Sequence, residues 1–427
     1  MTQPAITSNN AAAGYQYVID ALDMTGGENP KPAGTPRNVR EVLRRDPRYA
    51  GKIRHNEFDG LVYIDGDEIR DVDEMAIRIW LDDVYRLRVG TRTVGEVIQL
   101  VARETPFHPV RDYLERCALK WDRTRRIDHL LTYYFGTGGA DAVEPGTNDD
   151  AAACLHYALA RAFLISCVKR IIAPGCKVDT TLVLVGRQGC RKSSALRVLA
   201  GDDWFSDTVF SLSTNYRDAL ASLRGVWIYE LAEMDALSAR RADASTIKAF
   251  LSAQTDRYRD AYARNTASVK RQTVFAGTTN TKFLRDPTGS RRFWPVEVGT
   301  IRLECLRADR DQIWGEAYHA AKSGEQWWLS DEMASQLAET SADFEEQDPW
   351  FEAINKWIND PETPREFTTA ACLVGAIGKP TDRVNRADEH RIGSCLRQLG
   401  LIKVRRRERG RRGSTARRYV WEWPGVE

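Results

Sequence analysis

The sequence predicts an α/β fold, with a parallel sheet wrapped by helices, a helical N-terminal region before it and a small three-helix module after it. Three observations carry this reading. The stretch from Thr181 to Ser194, TLVLVGRQGCRKSS, sets a buried apolar strand against a Gly-rich loop and a helix opening at Lys192. From there to residue 300, strands alternate with helices, the pattern of a sheet covered on both faces. Residues 349–427 then read as three short helices and a basic hairpin, the outline of a winged helix.

Composition bounds what the chain does. Its 427 residues suffice for roughly three domains. A net charge of +2 excludes a polycation, so any basic surface is local. Eight cysteines without a C-x-x-C pair and six dispersed histidines give no zinc spacing; they fit a reducing, cytoplasmic setting. No apolar run is long enough for a membrane span. The stretch MTQPAITSNNAAAG lacks a basic region followed by an apolar core, so no secretory leader is expected.

Residues 1–36, rich in Ala, Gly, Pro, Asn and Thr, predict a mobile lead-in with helical potential from Tyr15 to Leu22. Residues 37–116 predict a small α/β or mostly helical domain. Its helices run from Asn38 to Arg45, from Asp73 to Tyr85 (Met75, Ile77, Ile79, Trp80 and Val84 apolar) and from Thr93 to Arg103, with a strand from Phe58 to Ile64. His108 and the aromatics that follow read as core. Residues 117–178 predict a helical domain from Ile127 to Tyr134 and Ala151 to Ile172; the second helix is apolar nearly all round and hence buried. Residues 179–300 predict the core. After the Gly-rich loop come a strand from Trp204 to Leu212, a helix from Asn215 to Leu223 and a strand from Val226 that ends in Glu230. A helix from Ala242 to Ala253 follows, then a strand from Gln272 to Ala276 leading to Asn280, and a strand from Phe293 to Val298. Residues 301–348 are a helical extension and linker. Residues 349–427 supply helices from Trp350 to Ile358, Thr368 to Ile377 and Ala387 to Leu399, then the hairpin.

The Gly-rich loop has the residue types that phosphate chemistry needs. Gly186 and Gly189 let backbone N–H groups turn toward an anion, and the helix N-terminus adds a positive dipole. Lys192 reaches β- and γ-phosphates, and the Ser193 hydroxyl is a ligand for Mg²⁺. Gly186, Arg187, Gln188, Gly189, Cys190, Arg191, Lys192, Ser193 and Ser194 are therefore candidate ATP-binding residues. One departs from the P-loop pattern G-x-x-x-x-G-K-[ST]: Arg191 stands where it has Gly.

Downstream residues supply the catalytic candidates. Glu230 ends an apolar strand, where a carboxylate holds Mg²⁺ and polarises the attacking water; Glu233 follows at i+3 and is an equal candidate for the base. Asn280, after the next strand, is placed to orient that water. Arg291 and Arg292 are candidates to stabilise charge on the transferred phosphoryl group. Between them, the run from Arg257 to Arg271 interleaves basic residues with Tyr258 and Tyr262, which suits nucleic-acid contact through Arg264, Asn265, Lys270 and Arg271. From Lys403 to Arg418 there are nine Lys or Arg and one acidic residue, Glu408. Arg405, Arg406, Arg407, Arg411 and Arg412 in that hairpin, with Arg391 and Arg397 on the helix before it, are candidates for duplex contact.

Taken together, PGCKVD at 174–179, the Gly-rich loop, WIYELAE at 227–233, IKAFL at 247–251, DRYR at 256–259, GTTN at 277–280 and DPTGSRRFWP at 286–295 resemble the virulence-associated protein E family. The resemblance begins near Asn56, includes HPVRDYL at 108–114 and runs to about residue 300. That family's P-loop domain is similar to superfamily 3 helicases, replication motors of phages, viruses and mobile elements. The resemblance implies an AAA+-like core, a ring oligomer commonly of six subunits, and ATP-driven movement on DNA. By that resemblance, single-stranded DNA would lie in the ring channel against a hairpin around Ala263-Arg264-Asn265; the basic charge of the C-terminal module, beyond the resemblance, predicts that duplex DNA binds there. The sequence shows no primase or polymerase site, so a separate chain would supply priming. Three functions compete: a DNA-translocating ATPase, a nucleotide-switched DNA-binding initiator that does not unwind, and a phosphotransferase for a small substrate. Asn280 and the Arg291-Arg292 pair suit the first.

Overall fold

The computed structural model describes residues 15–137, 139, 144–145, 154–208, 216–232, 241–258, 267–280, 292–341, 344, 348–409 and 415–424. The chain divides into two compact units between Asp343 and Phe344.

The first unit begins with a small α/β module that has its own core. Helix α1 (Pro36–Arg45) starts where the Thr35 hydroxyl accepts the Asn38 N–H and Pro36 presets φ. Strands β1 (Ile53–Asn56), β2 (Val62–Ile64) and β3 (Asp67–Glu68) pair antiparallel, and β4 (Pro106–Phe107) adds in parallel to β1. Helices α2 (Asp71–Tyr85) and α3 (Thr91–Ala102) close the core around Val42, Leu43, Leu81, Val94 and Ile98. The buried stripe of α2 is Ile77, Leu81 and Tyr85, spaced four apart. Met75, Ile79 and Val84, expected on the apolar face, are exposed: a helix offers one stripe, and Ile79 lies two residues out of phase with it.

Helix α4 (Pro109–Leu119) is capped by His108, whose Nδ1 accepts the Arg111 N–H. Because Nδ1 accepts, Nε2 carries the proton and donates to Gln272 Oε1 at 2.6 Å. Where a regular helix was expected from Ile127 to Tyr134, the chain makes a π turn over Leu130–Tyr134. Beside it, burial pushes the Glu316 carboxyl up to about 6, although it accepts the N–H groups of Arg126 and Ile127. Helix α5 (Leu155–Ile172) is buried on nearly every side, as its composition predicts.

The central sheet has five parallel strands in the order β11-β5-β10-β7-β6. They are β5 (Thr181–Val185), β6 (Phe205–Ser206), β7 (Ile228–Leu231), β10 (Val274–Thr279) and β11 (Phe293–Glu297). Helices α6 (Lys192–Ala200), α7 (Tyr216–Ala221), α8 (Arg241–Ser252), α9 (Leu303–Lys322) and α10 (Asp331–Ser341) accompany it, with a hairpin β8 (Thr255–Tyr258) and β9 (Ala267–Lys270) between α8 and β10. The strand expected from Trp204 to Leu212 is reduced to two residues after a 3-10 turn over Asp202–Trp204; residues 209–212 lie outside the described set. Trp227, fully buried, meets Trp314 at 4.3 Å and donates its indole N–H to Cys167 O. Trp314 Nε1 and the Arg310 guanidinium satisfy the Leu199 and Ala200 carbonyls at the end of α6. These bonds seat the loop helix against α9.

The second unit packs α11 (Phe351–Ile358), α12 (Thr369–Ile377) and α13 (Arg386–Gln398) around Ile354, Leu373, Ile392, Leu396 and Trp421. Thr368 caps α12, and Asn385 with Asp388 forms a capping box on α13. Strands β12 (Ile402–Arg409) and β13 (Thr415–Glu422) pair antiparallel along their whole length.

Candidate functional site

Three adjacent strands, β5, β10 and β7, end at the same edge of the sheet, and each delivers one part of the site. Crevices beyond the carboxyl ends of parallel strands are where such sheets bind ligands. After β5 the chain turns at Gly186, whose N–H donates to Thr279 O at 3.2 Å. A Cβ there would come within 3.0 Å of Val298 Cγ2, so glycine lets the loop lie against the end of β11. Arg191 takes a left-handed conformation, φ 68° and ψ 28°, just before α6. That geometry costs a non-glycine residue roughly 1–2 kcal/mol, and it explains why the loop pattern has glycine there.

Lys192, 7% exposed, opens α6. Its Nζ donates to Gly186 O at 2.8 Å, Arg187 O at 3.1 Å and Asn280 Oδ1 at 2.9 Å. Glu230, 2% exposed, lies on β7. One of its oxygens, Oε1, accepts from Ser193 Oγ at 2.7 Å and from Thr278 Oγ1 at 2.5 Å. The other, Oε2, is buried and has no hydrogen-bond partner among the described residues. A buried carboxylate oxygen left over in this way is costly unless something else satisfies it. A cleft of about 390 Å³ is lined by Gln188 to Ser194, Glu230, Thr278, Thr279 and Asn280. On the other side of the loop, a second cleft of about 680 Å³ runs along Gly186, Arg187, Glu297 and Val298.

The structure thus brings together Lys192, Ser193, Glu230 and Asn280, four residues separated by up to 88 positions. It adds Thr278, which the motif pattern does not single out; its signal is a hydroxyl two residues before Asn280 in a buried strand end. Arg292 does not join them. It begins the chain into β11, at the opposite edge of the sheet from the loop, and its Nε donates to Ser252 Oγ at 3.2 Å. Glu233, Arg291, Arg264, Asn265, Arg411 and Arg412 lie outside the described residues.

Two of the nucleic-acid candidates have internal roles instead. Arg271 is 1% exposed. Its Nε bridges both Asp256 oxygens at 3.1 and 3.0 Å, and its remaining nitrogens reach Asp256 and the Phe250 carbonyl. A guanidinium sealed in this way does not contact a nucleic acid. Nearby, burial pulls the Arg170 guanidinium down to about 10, and it donates to Arg271 O. Arg391 makes a bidentate pair with Asp348 at 2.7–2.8 Å and stacks over the Trp350 ring at 4.0 Å, tying α13 to the chain before α11. Lys270, Arg397, Arg405 and Arg406 are exposed, and Arg407 lies on β12.

Among the described residues no His, Cys, Asp and Glu cluster suits a metal on its own, and no helix is long and apolar enough to cross a membrane.

No curated protein matches the chain. Solved structures resemble it at low similarity. The A form apo structure of the NrS-1 C terminal region has a TM-score of 0.36 and 11% identity, covering 62% of this chain and 71% of that one. Another apo structure of the NrS-1 C terminal region has a TM-score of 0.33 and 14% identity, covering 68% of this chain and 65% of that one. The profile of the virulence-associated protein E-like domain matches residues 114–346, more than half of the sequence, and the chain belongs to that family.

Proposed function

We propose that this protein is an ATP-hydrolysing motor that moves on DNA, a replicative helicase of a phage or mobile genetic element working as a ring, commonly of six subunits. The observation that carries the reading is the meeting in one cleft of Lys192 and Asn280 with Ser193, Thr278 and the half-satisfied Glu230. Residues Gly186–Ser194 serve as a P-loop for the triphosphate, in an AAA+-like core. Ser193 and Glu230 fit Mg²⁺: an acceptor-only oxygen without a partner, beside a hydroxyl, is the hard donor set this ion takes. When bound, the ion neutralises charge on the phosphate oxygens.

Each side chain then has one task. Lys192 holds the phosphates by charge. Asn280 orients the attacking water, and Glu230 or Glu233 takes its proton. Arg292, at the far edge of its own sheet, acts with Arg291 on the site of a neighbouring subunit. The second unit serves as a winged helix for duplex DNA, and the segment around Arg264 holds single-stranded DNA in the ring channel. Priming comes from a separate primase or polymerase.

The test is ATP turnover with and without single-stranded DNA, measured alongside native mass. Turnover is expected to rise with DNA, and the mass to be several times that of one chain. Glu230→Gln should bind ATP but hydrolyse it at least about 100-fold more slowly if Glu230 is the base. Normal turnover by Lys192→Ala removes the P-loop assignment. DNA-stimulated turnover without strand displacement favours the initiator.

A further inference from the structure

Resting on the reading of Gly186–Ser194 as a phosphate loop, we infer that the larger cleft, beside the end of β11, holds the nucleoside of the bound triphosphate, and that the Glu297 carboxylate accepts a hydrogen bond from a donor on it. The two clefts share Gly189, Cys190 and Arg191, so the loop is the wall between them. A triphosphate held at Lys192 leaves its remaining part to the other side of that wall. The cleft there, about 680 Å³, is the size of small-molecule sites.

Its floor is preformed. Val298 N–H donates to Val185 O at 2.8 Å, which prolongs the pairing of β11 with the loop strand. Gly299 N–H donates to Phe135 O at 3.1 Å and Arg302 N–H to Tyr134 O at 2.8 Å. A Cβ at Gly299 would collide with the Gly136 carbonyl oxygen, so the two turns touch backbone to backbone. Held from both sides, the segment needs no ordering when a ligand enters.

Charge decides which part of the nucleotide lies here. Val298 and Ile301 supply an apolar wall suited to a planar base. Glu297, in register with Val185, is exposed at the rim, with no ion pair or hydrogen bond among the described residues. An ionised carboxylate accepts and cannot donate. It repels phosphate, while an amino group of a base or a ribose hydroxyl satisfies it. Lys192, which lines the smaller cleft alone, has the opposite preference; Arg191 stands on the shared wall, and Arg187 lines the larger cleft with Glu297. The site is therefore polar in a direction, with phosphates toward Lys192 and nucleoside toward Glu297.

The experiment compares Mg²⁺-ATP with inorganic tripolyphosphate, which ends where the nucleoside begins, by calorimetry on the full chain. Glu297→Ala should weaken ATP about 10-fold relative to tripolyphosphate, the loss of one charge-assisted hydrogen bond. Glu297→Gln, which keeps an acceptor, should lose less. Two analogues identify the donor: purine riboside triphosphate lacks the amino group, and 2′,3′-dideoxy-ATP lacks the hydroxyls. The one that binds wild type about 10-fold more weakly than ATP and is indifferent to Glu297→Ala marks the contact. An unchanged ratio of ATP to tripolyphosphate affinity in Glu297→Ala overturns the inference and leaves the phosphate loop standing. If neither compound binds wild type, the phosphate loop itself is wrong, and the inference goes with it.

Discussion

In the hairpin β8–β9, the arginine that follows the second strand is sealed in the protein: Arg271 is 1% exposed, paired with Asp256 and stacked over Phe250 at 4.8 Å. In β12–β13, Arg405 and Arg406 stand exposed on a ladder of eight residue pairs. Both hairpins read from sequence as basic, DNA-facing segments. The difference lies in what surrounds the charge. Asp256 sits on the facing strand of the first hairpin, and Phe250 and Phe275 supply ring faces, so Arg271 is satisfied from inside. In the second hairpin Arg405 is exposed and has no ion pair among the described residues. A basic residue is a candidate contact only when the fold has not already paired it.

The largest expected effect breaks the inner case. Arg271→Met leaves Asp256 buried without its partner and should destabilise the protein by about 3–5 kcal/mol, read as a shift in the urea midpoint. Adding Asp256→Leu should return most of that loss, because the uncompensated charge is gone. A single mutant as stable as wild type would show that Arg271 is no strut. The base of the hairpin would then be held by its backbone bonds alone, such as Arg271 N–H to Gln254 O.

That contrast shows what the sequence makes legible. The loop strand, its parallel neighbours and the meeting of Lys192 with Asn280 follow from apolar runs ended by polar residues, a local pattern. Glu230 is placed for the same reason: a lone acid in WIYEL has to lie at a strand end near water or a partner. What escapes depends on distant residues. Arg271 is buried because Asp256 and Phe250 meet it, and no period in the sequence says so. The π turn at Leu130–Tyr134 and the two-residue β6 are set by packing against neighbours. Arg391 looks free beside the apolar stripe of α13, but its partner Asp348 lies 43 residues earlier, in a stretch that reads as linker.

Next in size is the outer case. Changing Arg405, Arg406, Arg407, Arg411 and Arg412 to Ala should weaken duplex binding strongly and lower the slope of log affinity against log salt by about 0.9 for each phosphate no longer neutralised. Folding stability should hardly move, since surface pairs contribute little. Unchanged affinity and slope in a filter-binding titration would place duplex DNA elsewhere, beside the segment around Arg264. A smaller effect separates Arg391 from this group. Arg391→Ala removes a bidentate pair and a stacked ring, so it should lower stability by about 1–2 kcal/mol, part of the pair's strength being screened by water. Its salt slope should stay at the wild-type value. A lower slope at wild-type stability would return Arg391 to the DNA surface.

The finest test lies between two neighbours on β12. Adjacent residues of a strand point to opposite faces, so Arg405 and Arg406 do not face the same ligand. Arg406 is already engaged: its guanidinium is 2.7 Å from Glu422 and 3.1 Å from Glu366, and those carboxylates raise its pKa. Arg405 has no ion pair among the described residues and lies in register with Tyr419, itself 54% exposed. A phosphate has to compete with two carboxylates for Arg406 and with water alone for Arg405. Arg405→Ala should therefore lower the salt slope by nearly the share of one phosphate, and Arg406→Ala by clearly less. Glu366→Gln should do the reverse, freeing part of Arg406 and steepening the slope. Equal slopes for the two arginine variants would mean that duplex DNA displaces both carboxylates on binding. Arg406 would then differ from Arg405 only in the free protein, and the rule drawn from Arg271, that paired arginines are not contacts, would hold only for buried pairs.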